Sequence, residues 1–185
     1  MRTLSLAELR VALDRCRELT GVTDFVIVGS QAILGSFPDA SAALRTSQDI
    51  DLFVKRGATA EVNKLIYAKF GPESEFEGQE GFYIEPMGEW VMMTSLPGWA
   101  ERLVKVESPG GAIGWCLSPL DIAYNKAEAG REKDIAYLAE MFRSGIVRPS
   151  EIKAAMSAAR IAQDVAGIVD GRVQEAIRRN SQARP

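Results

Sequence analysis

The chain has 185 residues, with 22 Lys and Arg against 25 Asp and Glu, and it contains no histidine. That absence excludes Ser-His-Asp and Cys-His nucleophiles and every His-ligated zinc or iron site, and it leaves acid–base work to carboxylates, Lys, Tyr or water. Two cysteines, Cys16 and Cys116, are too few for a four-ligand zinc site, so any metal is expected to be a hard cation held by oxygen, Mg²⁺ or Mn²⁺.

A hydrophobic fraction of 46% with 25% charged residues is ordinary for a globular chain. The length suits one compact domain with a small appendage. No apolar run approaches the roughly 20 residues of a membrane helix, and the first ten residues lack an apolar signal core. With two unclustered cysteines, a reducing cytoplasm is the expected compartment. Charge is unevenly spread. From Arg143 onward eight basic residues face four acidic ones, so the acid excess lies in the body. A basic tail suits either a solvated helix face or a polyanionic partner.

The elements follow in chain order. Ser5 and Glu8 form a capping box, and Leu6, Leu9, Leu13 and Cys16 recur at helical spacing. This predicts a helix to about Thr20, stopped by Gly21, with Cys16 in the core. Phe25-Val26-Ile27-Val28 reads as a buried strand running into Gly29-Ser30, and Gln31 to Leu34 as a helix start. Ser36 to Gln48 is looser. Asp49 to Val54 reads as a second strand, and Ala58 to Phe70 as a helix closed by Gly71-Pro72. Phe76 to Val106 has β character, with strands at 82–85 and 90–93 and a weaker one at 102–106. Ala112 to Leu117 is the last predicted strand. Tyr83, Trp90, Trp99 and Trp115 read as core or sheet-face residues, and Gly110-Gly111 as a turn. Ser118-Pro119-Leu120-Asp121 opens a helix to about Ala129. A further helix spans about 131–143, and another begins at Ser150. The expected organisation is a core over 1–117 and a helical subdomain over 118–185.

The most informative string is Gly29-Ser30 at a strand end, followed by Asp49-Ile50-Asp51 on the next strand. Alternate strand residues share a face, so Asp49 and Asp51 point the same way, their Cα atoms roughly 6–7 Å apart. Paired carboxylates at that span can bridge two divalent ions. Gly29 lets backbone approach a ligand closely. Ser30 offers a hydroxyl and an amide at a predicted helix N-terminus, a place suited to anions.

Gly29-Ser30, Gly35 and Arg45-Thr46-Ser47-Gln48-Asp49-Ile50-Asp51-Leu52 resemble the signature of the nucleotidyltransferase superfamily with the DNA polymerase β-like fold. The flavour is closest to small bacterial toxins of AbiE and MenT type, and Lys126, Arg131, Lys133 and Asp134 resemble the motifs those toxins carry on helices after the sheet. The resemblance implies an α+β fold, a mixed sheet flanked by helices and followed by a C-terminal helical subdomain. It implies Mg²⁺- or Mn²⁺-dependent transfer of a nucleoside monophosphate from an NTP such as ATP to an acceptor hydroxyl. In the toxin version the acceptor is tRNA or another RNA, and a cognate antitoxin is a partner; no membrane is involved. Asp49, Asp51 and Glu85 are the implied catalytic metal ligands, with Glu85 also taking the acceptor's proton. Gly29, Ser30, Arg45, Lys126 and Asp134 are the implied nucleotide-binding residues, although Asp134 is equally readable as a residue that positions Lys126. Two departures stand out. The insert between Ser30 and Asp49 is 18 residues, longer than in the minimal members, and Glu85, with Glu89 as the alternative, stands where the family usually has Asp. The alternatives are a non-catalytic nucleotide-binding or antitoxin-like partner on the same fold, and an antibiotic nucleotidyltransferase.

Overall fold

The computed structural model describes residues 2–56 and 60–182. The chain folds as two compact units: Met1–Met93 with Arg102–Ser118, and Thr94–Glu101 with Pro119–Pro185.

The first unit starts with β1 (Arg2–Thr3) and α1 (Leu6–Thr20). In α1 the Ser5–Glu8 capping box forms, and Gly21 ends the helix in the left-handed conformation. Then come β2 (Asp24–Ile27), a 3-10 turn at Ser30–Gly35, α2 (Ala42–Arg45), β3 (Thr46–Ser47), β4 (Asp49–Val54), α3 (Ala60–Phe70), α4 (Glu75–Glu80) and β5 (Tyr83–Pro86). A 3-10 turn follows at Glu89–Met92, and β6 (Val104–Glu107) and β7 (Ile113–Cys116) close the unit. Five strands form one mixed sheet in the order β5-β4-β2-β7-β6. The β5/β4 and β2/β7 pairs are parallel, and β4/β2 and β7/β6 are antiparallel. β1 and β3 pair separately.

The two faces of the sheet differ. Phe25, Ile27, Ile50, Leu52, Val54, Ile84 and Cys116 share one face and are all 2% exposed or less. Helix α1 packs there. A Cβ at Gly114 would sit 2.9 Å from Leu13 Cδ1, so the helix approaches the sheet at a residue with no side chain. The other face carries Asp49, Asp51, Tyr83 and Glu85, all half-buried.

Several expectations give way in this unit. Gln31 to Leu34 lie in a six-residue 3-10 turn, not an α-helix, so Ser30 has no helix dipole of useful length behind it. The loose stretch 36–48 holds α2 and β3. The region expected to be all β contains α4, which Ser74 caps through the Glu77 N–H at 3.2 Å and Gly81 ends at φ +75°. Residues 90–93 form no strand: they belong to the 3-10 turn at Glu89–Met92 and its end at Met93. Trp90 is instead 68% exposed, folded back on Gly88. The helix expected from Ala58 is seen from Ala60, and Ala58 and Thr59 lie outside the described residues.

The second unit contains a 3-10 turn, at Trp99–Arg102 where the units meet in sequence, and four helices: α5 (Pro119–Ala129), α6 (Glu132–Arg143), α7 (Pro149–Ala158) and α8 (Gln163–Gln182). Its core is built from Ile122, Tyr124, Ile135, Leu138, Met141, Ile152, Val169 and Val173. Arg172 of α8 donates to the carbonyls of Ala127 (3.0 Å) and Glu128, closing the C-terminus of α5. Gly130, at φ +64°, makes room for it: a Cβ there would lie 2.1 Å from Arg172 Nε. Among the described residues no helix is long and apolar enough to cross a membrane.

Candidate active site

The three carboxylates reach one face through strand register. In the parallel β4/β5 pair Asp49 lies opposite Tyr83, and Asp51 opposite Glu85. Neighbouring strands are about 4.8 Å apart, and alternate residues on one strand about 6.6 Å. Asp49, Asp51 and Glu85 therefore form a compact triangle on two adjacent strands.

Gly29 completes this corner. The Val28 N–H donates to the Asp51 carbonyl at 3.0 Å, which extends the β2/β4 ladder to the glycine. Gly29 adopts φ 65°, ψ −154°, a region essentially closed to residues with a Cβ. A Cβ added there would lie 2.1 Å from Asp51 Oδ2, so the main chain rests directly on the carboxylate. Gly29→Ala is expected to cost at least about 2 kcal/mol in urea denaturation, from backbone strain and displacement of Asp51. An unchanged midpoint would show that the close approach is not needed.

The electrostatics follow from crowding. Burial, then the negative charge of Asp49, push the Glu85 carboxyl above its ordinary value. Burial also raises the Tyr83 phenol, followed by the charges of Asp49, Glu85, Asp51 and Glu77. Asp49 is steadied on one side by Ser47, whose hydroxyl donates to Asp49 Oδ1. A sign follows for Glu85. Its folded carboxyl holds a proton to higher pH than the unfolded one, so in the window just above the ordinary carboxylate value stability falls as pH rises. In metal-free buffer, Glu85→Gln is expected to melt higher than the parent at pH 7 and to lose that advantage near pH 4. Melting curves at the two pH values check this, and equal melting temperatures at pH 7 would refute it.

These oxygens suit a hard divalent cation in kind and in facing direction. Neither cysteine competes, since burial pushes both thiols up to about 12. Among the described residues, no three His, Cys, Asp or Glu side chains already close around one point. The three carboxylates face one side of the sheet without closing around one point.

The remaining expected site residues fall in two places. Ser30 follows Gly29 at the start of the 3-10 turn, beside the same corner. Arg45 is committed to backbone: Nε donates to the Ala40 carbonyl (2.7 Å) and an Nη to the Leu4 carbonyl (3.3 Å). These bonds tie the segment before β3 to the chain entering α1. Lys126 and Asp134 belong to the helical unit. Asp134 is wholly buried, and accepts from Lys126 Nζ at 2.9 Å and from Arg131 at 2.5 and 3.3 Å. Burial alone would raise the Asp134 carboxyl, but the Arg131 hydrogen bond and the Lys126 charge outweigh it and hold it low. Lys126 also lies 4.9 Å from the centre of the Tyr137 ring. The carboxylate holds Lys126 in place.

Two hollows in the sheet unit lie away from the carboxylate row. One of about 620 Å³ opens beside Lys55, Arg56 and Trp115, and one of about 420 Å³ beside Lys69, Phe70 and Phe76. In the first, Lys55 Nζ sits 3.4 Å from the Trp115 ring centre, and Trp115 Nε1 donates to Asp24 at 2.9 Å. Sequence reasoning passed over Tyr83 and Ser47 as site residues. Tyr83 was legible: two residues before Glu85 on a predicted strand, it must share that face.

A mixed sheet whose second strand ends in a Gly-Ser turn against an Asp-x-Asp strand, followed by helices, is the architecture of a nucleotidyltransferase. The family comparison agrees: the chain belongs to the family described as "Nucleotidyltransferase of unknown function (DUF6036)", whose model matches residues 7–158. No curated protein and no solved structure matches the chain.

Proposed function

We propose that the protein transfers a nucleoside monophosphate from an NTP to an acceptor hydroxyl, with Mg²⁺ or Mn²⁺ held by Asp49, Asp51 and Glu85. The observation that carries this reading is the register of β4 and β5, which sets the three carboxylates on one face beside Gly29. Bound divalent cations would neutralise charge on the transferring phosphoryl group. In the reaction the acceptor oxygen forms a bond to the α-phosphorus, and the bond to the bridging oxygen of the β-phosphate breaks. Pyrophosphate leaves with that electron pair. Glu85 takes the acceptor's proton, and its raised affinity for protons suits the task. Gly29 and Ser30 approach the phosphates with backbone and hydroxyl, and Asp49 and Asp51 orient the reacting end.

RNA, with a tRNA end as in the toxin version, is the acceptor class we favour. The tail supports it only partly. Arg143, Arg148 and Arg179 pair with Glu140, Glu151 and Glu132, and Arg172 caps α5. Lys153, Arg160 and Arg178 are exposed, and Arg184 lies outside the described residues. The test supplies purified protein with each α-labelled NTP and Mg²⁺, plus total tRNA, cell protein or an aminoglycoside. Label entering RNA supports the toxin-type enzyme, and toxicity on expression, relieved by Asp49→Asn, would agree with it. Label entering the drug assigns a resistance enzyme instead. No transfer in any mixture, with NTP binding intact, would replace the catalytic reading by a nucleotide-binding partner such as an antitoxin.

A further inference from the structure

We propose that Tyr83 is a nucleotide-contacting residue, its phenol O–H donating to an oxygen of the α-phosphate; this rests on the nucleotidyl-transfer reading. Two observations carry it. Register sets Tyr83 opposite Asp49 in the parallel β4/β5 pair and two residues before Glu85, on the carboxylate face. The side chain is half-buried, so part of it is open to a ligand on that face.

The chemistry of the neighbours gives the phenol its task. Asp49, Asp51 and Glu85, when ionised, only accept hydrogen bonds. They suit cations and repel a phosphate. The nearby Ser47 hydroxyl is already donated to Asp49. Tyr83 brings to this face a neutral donor, which can hold a phosphoryl oxygen without adding a charge that competes for the metal. Its length adds to the argument. Side chains stand roughly perpendicular to a sheet, and a phenol hydroxyl stands further from the strand than an aspartate carboxylate. It therefore lies at the level of a group bound on top of the carboxylates. The ring thus stays near the sheet while the hydroxyl meets the ligand.

Tyr83→Phe keeps the ring and removes only the donor. Isothermal titration of the full chain with Mn²⁺ alone, and then with the four α,β-methylene NTP analogues in the presence of Mn²⁺, separates the possibilities. The expected result is Mn²⁺ affinity within twofold of the parent and analogue affinity weakened about tenfold or more, the range of a hydrogen bond to a charged group. Parent-like analogue affinity in Tyr83→Phe would overturn the assignment. Mn²⁺ binding lost along with analogue binding would also overturn it, since Tyr83 would then be part of the carboxylate scaffold. A parent protein that binds Mn²⁺ but none of the four analogues would refute the nucleotidyl-transfer reading itself, and Tyr83's role with it. Asp49→Asn, expected to lose Mn²⁺, calibrates the titration.

Discussion

Asp49→Asn and Asp51→Asn are each expected to reduce nucleotidyl transfer by at least about 10³-fold, roughly 4 kcal/mol of transition-state stabilisation, while leaving the fold in place. The substitution keeps the size and outline of the side chain and removes its charge. On this face charge is the function. Three carboxylates within two strand spacings repel one another. Burial first, and then the Asp49 charge, raise the proton affinity of Glu85. A variant with one charge fewer is therefore expected to melt at the parent's temperature or above it. Asp51 is the more delicate position, because Gly29 rests against its Oδ2 and an amide there meets the same backbone. Transfer assays with labelled NTP, run beside melting curves, test both halves. A variant retaining a tenth of parental activity would remove that aspartate from the metal set.

The second large effect is on stability. Asp134→Ala is expected to lower the stability of the helical unit by about 3–5 kcal/mol, the cost of breaking a buried ion pair by removing one partner. Lys126 is only 8% exposed and Asp134 not at all, and the carboxylate is shared with Arg131. Arg131 is 62% exposed on its side chain and can turn to water, whereas Lys126 cannot. Lys126→Met combined with Asp134→Leu is expected to recover much of the loss, because removing both charges also removes their desolvation cost. The pH dependence has a definite sign. The folded Asp134 carboxyl lies below its ordinary value, so its contribution is present above that value and is lost as pH falls through the folded one. Denaturant melts of the single and double variants at pH 7 and pH 3 measure this. A single variant as stable as the parent would show that the cluster is dispensable.

Most of the sheet was legible because its strands carry strong local signals. Asp49–Val54 is a run of β-branched and aromatic residues behind an acidic pair, and Ser5-x-x-Glu8 with Gly21 bounds α1 on both sides. Helix α5 was equally plain from Ser118-Pro119. Errors arose where tertiary partners decide. Trp90 to Met93 has strand composition but forms a 3-10 turn. Gln31 to Leu34 has helix composition but spans only a 3-10 turn before Gly35, where a Cβ would lie 2.6 Å from Cys116. Helix α4 was overlooked although Ser74-x-x-Glu77 announces it. At the site, the pairing of Asp49 with Asp51 followed from strand periodicity alone. The placing of Glu85 opposite Asp51 needed register, which no local pattern contains. Arg45 shows the reverse limit. Its neighbourhood in sequence resembled a phosphate site, while its guanidinium is bound to carbonyls at Ala40 and Leu4 that only the folded chain brings to it.

The central strand β2 is hydrogen-bonded on one side to β4 and on the other to β7, where Asp24 pairs with Ile113. The closing pair thus joins residues separated by nearly half the chain. Such long-range closure is slow, because loop entropy is lost before the contact repays it. During synthesis the strand bearing Asp49 and Asp51 emerges well before the strand that completes the sheet. The acidic corner can be drafted early, but its rigid backing, with Gly29 seated on Asp51, is fixed only when β7 arrives. A ribosome-bound fragment ending before residue 113 would accordingly lack the strand that pairs with β2 behind this corner.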